Sequence, residues 1–211
     1  MKETMTVHQA LCELKTLNKR VTKAIMESNP IATKEHAAQK VSAMEIDEFK
    51  RLAIGQHASA LDLLRRQVAI KAAINQYNAS KIVTVAGKDY SIAQAIWMMN
   101  FGVDEQKRLL NHYTELLANT ERQIERANGQ ELNKRAEAAM NSLYGSKDKA
   151  NADEYMAGLE SYKKAHALEV IDPIKIRDFI QKLSDDIAAF ESGVDAAIQI
   201  ANATTTIEFE Y

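Results

Sequence analysis

The stretch KIVTVAGKDYSIAQAI, residues 81–96, breaks the pattern of the chain around it. Elsewhere apolar residues recur every three or four positions, the period of a helix with one buried face. Here Ile82, Val83 and Val85 run up to Ala86-Gly87-Lys88-Asp89, and Tyr90 and Ile92 lead away. Strand-forming residues on both sides of a Gly-containing turn predict a β-hairpin over 82–93. A lone hairpin is marginal in water and needs further packing. The ending ATTTIEFEY offers a third strand. Thr204, Thr205, Thr206, Ile207 and Phe209 favour extended backbone, and Ile207, Phe209 and Tyr211 alternate with Glu208 and Glu210. The predicted fold is mostly α: long antiparallel helices with one small three-stranded antiparallel sheet, made from hairpin 82–93 and strand 204–210.

The helices follow from spacing and caps. Val7, Leu11, Leu14, Val21 and Ile25 fall at a/d positions, with Asn18 at the remaining seam position. They predict a helix over 6–27, capped by Thr6 and ended by Asn29-Pro30. After a polar connection, a second helix runs over 46–78 on a stripe that includes Phe49, Leu52, Ala53, Ala60, Ile70, Ile74 and Tyr77. The two are expected to pair as an αα-hairpin. Ser91 caps a short helix that Gly102 is expected to end. Asp104 opens a long helix with a bend at Gly129, residues 144–153 form a loop, and a modest helix follows over 153–168. Asp172-Pro173 reads as the start of the last helix. The chain is expected to be a single helical domain over 1–211, with 103–168 as a candidate projecting helical hairpin.

Composition narrows the function classes. The 211 residues are 46% apolar and 27% charged, which suits a globular protein. No apolar run reaches the length of a membrane span, and the N-terminus lacks a signal-peptide core. A single cysteine, Cys12, excludes an internal disulfide and suits a reducing, cytoplasmic setting. The net charge of −2 hides an asymmetry. Residues 1–81 carry 13 Lys and Arg against 8 Asp and Glu, a net of +5; the remainder carries 14 against 21, a net of −7. The basic part could meet an anion or the acidic part of another copy, or it could simply be a set of solvated helix faces.

The search for catalytic chemistry comes back empty. The five histidines show no metal-binding helix spacing, and one cysteine cannot form a zinc knuckle. Phosphate-loop, dinucleotide and nucleophile-elbow motifs are absent. AGKD is better read as a hairpin turn. The expectation is therefore no enzyme, no cofactor, no metal and no catalytic residues. Nucleic acid is not an expected partner, because no Arg/Lys cluster interleaves with aromatics.

One anion-site candidate remains on the second helix. LLRRQVAIKAAINQYNASK brings Arg65, Arg66, Lys71, Tyr77 and Asn78 along one stretch of helix. Guanidinium groups bind phosphate bidentately, Tyr can stack on a base and Asn can read its polar edge. The bland reading is a basic outer face paired with Asp62 and acidic neighbours. Arg66 stands four residues before Ile70, beside the apolar seam. Secondary candidates are Tyr144, Ser146 and Lys147 in LYGSKDK, and Lys175 and Arg177 near the last helix start. Trp97 reads as core or subunit interface.

The blocks ALCELKTLNKRVTKAI, LLRRQVAIKAAINQYNA, VTVAGKDYSIAQAI and AAIQIANATTTIEFEY, with LYGSKD and DPIKIRDFI, together resemble uncharacterised helical proteins of phages and prophages of Gram-positive bacteria. The layout is more distantly similar to septicolysin-like proteins. The phage resemblance implies a non-enzymatic accessory protein in the cytoplasm of the infected bacterial host cell. Such a protein would act in counter-defence by sequestering a phosphate-bearing small molecule such as a nucleotide immune signal. The alternative it leaves open is a structural or protein-interaction component, in virion assembly or docked on a host protein. Homo-oligomerisation, dimeric or higher, is expected in either case because long helices leave apolar stripes to cover.

Overall fold

The computed structural model describes residues 2–41, 43–145 and 152–211. Helices dominate, and they fall into two units: residues 1–100 with 189–211, and residues 101–188.

The first unit begins with strand β1 (Lys2–Thr6), which leads directly into helix α1 (Val7–Glu27). Thr6 closes a capping box with Gln9, satisfying amides that the first helical turn leaves unpaired. A two-residue pair, β2 (Lys40–Val41) and β3 (Met44–Glu45), precedes helix α2 (Ile46–Ser80). The hairpin follows as β4 (Ile82–Val85) and β5 (Lys88–Ser91), with Ala86 and Gly87 both at positive φ in its turn. Ser91 caps helix α3 (Ile92–Trp97), again through a capping box.

The interior is built from α1 and α2 running antiparallel. Asn29 meets Gln56 near one end and Asn18 meets Gln67 farther along, so the two contacts run in opposite order along the helices. Val7, Ala10, Leu17 and Val21 are buried with Ala53, Ala60, Ile70, Ile74 and Tyr77. This corrects the a/d seam. The buried face of α1 passes through Ala10 and Leu17, while Leu11, Asn18 and Ile25 are exposed.

The sheet prediction is also corrected. The described residues form three separate two-stranded sheets, and the C-terminal strand β6 (Thr206–Glu210) does not join the hairpin. It pairs antiparallel with β1, from Lys2 opposite Glu210 to Thr6 opposite Thr206. Lys2 and Glu208 form an ion pair on the outer face. The hairpin instead packs by its face. Val83 and Val85 are buried, Val85 lies within van der Waals contact of a Cβ built at Gly193, and Tyr90 meets the edge of Phe190 with ring centroids 5.4 Å apart. Those residues lie on helix α7 (Ile176–Thr204). Packing on a helix supplies what a third strand would have supplied.

The second unit starts within a π-helical turn, Met98–Gly102, that continues into helix α4 (Val103–Arg126). Gly102 therefore does not stop a helix as expected. A second π-turn, Ala127–Glu131, contains the bend at Gly129 and leads into α5 (Leu132–Tyr144). Helix α6 (Ala152–His166) packs on α5 through Ala136, Met140, Tyr155 and Leu159. The Asn128 side chain exchanges two hydrogen bonds of 2.8 Å with the backbone of Leu168, fixing the segment that follows α6. Asp172 accepts from the amide of Ile176, so the last helix begins beyond Pro173, after Lys175 at φ +54. The three-residue misreading has a local cause: Pro173 and Ile174 form a turn before the helix begins at Ile176.

Candidate functional site

The five candidates on α2 do not converge on one site. Arg65 is exposed and pairs with Asp62 one turn earlier at 3.2 Å. Tyr77 is only 6% exposed, so its ring is part of the interior and has no face for a ligand. Burial pushes its hydroxyl pKa up, with Thr205 pulling the other way. Asn78 is half-buried, and Lys71 is exposed.

Arg66 is spent on the fold. Strand alternation places Glu3 and Met5 on the same face of β1 as Ile207 and Phe209 of β6. A carboxylate so placed requires a partner, and Arg66 reaches it from α2. The Nη1 and Nη2 groups donate to Glu3 at 2.7 and 2.8 Å, and Nε and Nη2 donate to Glu13 of α1 at 2.5 and 3.1 Å. Nη1 also donates to the Tyr211 hydroxyl, which in turn donates to Glu3 at 2.8 Å. All five guanidinium N–H groups are thereby used. The guanidinium carbon lies 4.7 Å from the Tyr211 ring centroid and 5.6 Å from that of Phe209. Hydrogen bonds from Arg66 and then Tyr211 hold the Glu3 carboxyl at about 2, and the two carboxylates raise the Arg66 pKa. With one cation between two anions, this cluster repels a phosphate.

Of the secondary candidates, Tyr144 is exposed at the end of α5, while Ser146 and Lys147 lie outside the described residues. Lys175 is exposed, and Arg177 is ion-paired with Glu121. Trp97 is 56% exposed and so is not part of the chain's own core.

A different group of side chains does converge. A groove of about 830 Å³ runs between α1 and α2, within the range typical of small-molecule sites. Leu11, Leu14 and Val68 supply apolar wall. Lys15 and Lys71 stand on opposite helices, and His8, Asn18, Gln67 and Asn75 add polar groups. Gln67 donates to Asn18 across the groove at 2.5 Å, and His8 lies 3.7 Å from the Cys12 sulfur. No carboxylate lines it. Comparison with family models, curated proteins and solved structures finds no match to this chain. The groove stands on its own geometry.

Only Lys71 among the groove residues was a candidate from sequence. The others were legible in part: Leu11 and Asn18 stood at seam positions in the sequence, and in the structure they are exposed on the groove. Among the described residues, no group of three or more His, Cys, Asp or Glu could hold a metal ion, and no helix is long and apolar enough to cross a membrane.

Proposed function

We propose that this protein is a non-enzymatic binding protein that holds a phosphate-bearing small molecule in the α1–α2 groove. The observation that carries this reading is the groove's lining: two lysines from opposite helices, a histidine and three amides over apolar side chains, without a carboxylate. Ammonium groups attract the phosphate, the amides suit the polar edges of a base, and the apolar wall suits its face. The resemblance to phage proteins makes a nucleotide immune signal the ligand class to test, with sequestration in counter-defence as the role. The binding residues move from Arg65 and Arg66 to Lys15 and Lys71.

A thermal-shift screen of ADP-ribose-like and cyclic nucleotides tests this, since a ligand bound only by the folded state raises the melting temperature by mass action. The ligand is expected back unchanged after denaturation. Lys15→Ala and Lys71→Ala should each weaken binding roughly ten- to a hundredfold, the loss of a charge-assisted hydrogen bond worth about 1.5–3 kcal/mol. Arg65→Ala should leave affinity unchanged. No hit in the screen overturns the reading, and a hit indifferent to both lysines places the site outside this groove.

One observation favours the alternative of a protein-interaction component. The segment after α6 exposes Leu168, Val170, Ile171 and Ile174, and Ile171 is 92% exposed. If the protein assembles into virions, mass spectrometry of purified particles should detect it; a sequestering protein stays in the infected cell.

A further inference from the structure

The groove between α1 and α2 does not end at Asn18. The same side chain borders a second, shallower hollow of about 460 Å³, lined also by Lys19, Thr22, Lys23 and Met26 of α1. Like the groove, this hollow has no carboxylate in its lining. Together the two follow α1 from His8 to Met26, about 27 Å of helix at about 1.5 Å per residue. Lys15, Lys19 and Lys23 stand four residues apart along this side, about one helical turn after another. Like charges at that spacing repel and cost a helix stability. Lys23 has a carboxylate at hand, Glu27 at 3.7 Å. Among the described residues, Lys15, Lys19 and Lys71 form no ion pair. Arg66, by contrast, is neutralised by Glu3 and Glu13. The fold thus uses Arg66 and leaves three ammonium groups on the path from groove to hollow.

We infer that the ligand of this groove is a linear nucleotide with at least two phosphates in a row, whose phosphate chain leaves the groove past Asn18 and reaches Lys19. That ligand class rests on the groove reading above and narrows it. The base lies at the end bordered by His8, Leu11, Ala72 and Asn75, far from the Asn18–Gln67 contact that marks the other end. Lys15 and Lys71 take the first phosphate from opposite helices. Lys19 stands about 6 Å further along α1 than Lys15 and takes the second. Consecutive phosphates lie closer together than one helical turn, and the flexible four-carbon lysine stem spans the difference. A cyclic monophosphate would satisfy Lys15 and Lys71 and leave Lys19 without an anion. The charge pattern therefore favours ADP-ribose-like ligands over cyclic ones.

Isothermal titration at fixed ionic strength with AMP, cyclic AMP, ADP and ADP-ribose tests this. ADP and ADP-ribose should bind at least about tenfold tighter than AMP or cyclic AMP, the gain from one more charge-assisted contact. Lys19→Ala should abolish that advantage and leave AMP affinity unchanged, whereas Lys15→Ala or Lys71→Ala should weaken binding of all four. Arg20→Ala removes the same charge from a residue that lines neither hollow, and it should change nothing. Lys19 and Arg20 are both exposed, so both variants should melt with the wild type. If AMP binds through Lys15 and Lys71 and ADP binds no tighter, the groove site stands and the polyphosphate ligand falls. A diphosphate advantage that survives Lys19→Ala also overturns the proposal. So does one lost equally in Arg20→Ala, because net charge is then its cause, and so does inorganic pyrophosphate binding as tightly as ADP, because the groove then contributes nothing. If none of the four nucleotides binds, the groove site and its polyphosphate ligand fall together.

Discussion

Arg66→Met should lower the stability of the first unit by roughly 2–3 kcal/mol, somewhat below the 3–5 kcal/mol typical of breaking a fully buried pair. The discount reflects the 18% of the Arg66 side chain that remains exposed. For a chain of this size that is a fall of about 4–12 °C in melting temperature, measurable by calorimetry. The loss arises because Glu3 and Glu13 stay behind as uncompensated carboxylates on an inner face, next to the rings of Phe209 and Tyr211. Replacing the carboxylates as well should therefore restore much of it: Glu3→Leu and Glu13→Leu together with Arg66→Met remove the stranded charges. Arg65→Met, one position away but exposed, should change little. If Arg65→Met and Arg66→Met were equally mild, the clamp would not be holding β1, α1, α2 and β6 together.

The same cluster gives the fold an acid limit. Glu3 is held at about 2 against an ordinary value of 4.5, chiefly by hydrogen bonds from Arg66. A folded-state pKa below the unfolded value means the folded protein binds fewer protons, so stability is present above about 4.5 and declines as pH falls through about 2. Arg66→Met should flatten that dependence. A denaturation series between these two pH values compares the slopes directly.

Local chemistry was legible in the sequence and remote pairing was not. Thr6 and Ser91 declare helix starts because each cap is closed by a side chain three residues on, Gln9 and Gln94. Gly129 marks a bend for the same local reason, and the buried residues of α2 follow its 3.6-residue period. The partner of β6 lies some two hundred residues earlier in the chain, in the five-residue run KETMT, whose modest β-propensity gives little signal by itself. Arg66 could be placed beside the apolar seam by its spacing from Ile70, but Glu3 and Glu13 could not be assigned to it without knowing that β1 exists. The groove was hidden by the same gap. The a/d reading set Leu11 on the buried seam with Asn18 half-exposed at its edge, whereas the buried face of α1 is rotated toward Ala10 and Leu17. Small residues such as Ala10 carry weak pattern signal yet can define the close-packed side of a helix pair.

Deletion of residues 206–211 separates the two accounts of the small strands. It removes Ile207 and Phe209, each buried, and with them roughly 3–6 kcal/mol of apolar burial at about 1.5–3 kcal/mol per large side chain. It also strips β1 of its hydrogen-bonding partner and Arg66 of the Tyr211 ring and hydroxyl. Against a total stability of about 5–15 kcal/mol for a typical domain, the first unit should become marginal. The pattern of amide protection is the decisive readout. Hydrogen exchange should accelerate at Lys2–Thr6, which paired with the lost strand. The hairpin of β4 and β5 should keep its protection relative to the rest of the unit, because Val85 and Tyr90 are held by α7 at Gly193 and Phe190. Selective loss of protection at 82–91, with Lys2–Thr6 unaffected, would instead mean that the C-terminal strand leans on the hairpin, as its sequence first suggests. The clamp then predicts one further asymmetry. Tyr211→Phe keeps the ring over the Arg66 guanidinium and loses only the hydroxyl contacts to Arg66 and Glu3, so it should cost a fraction of the full deletion while leaving β1 protected.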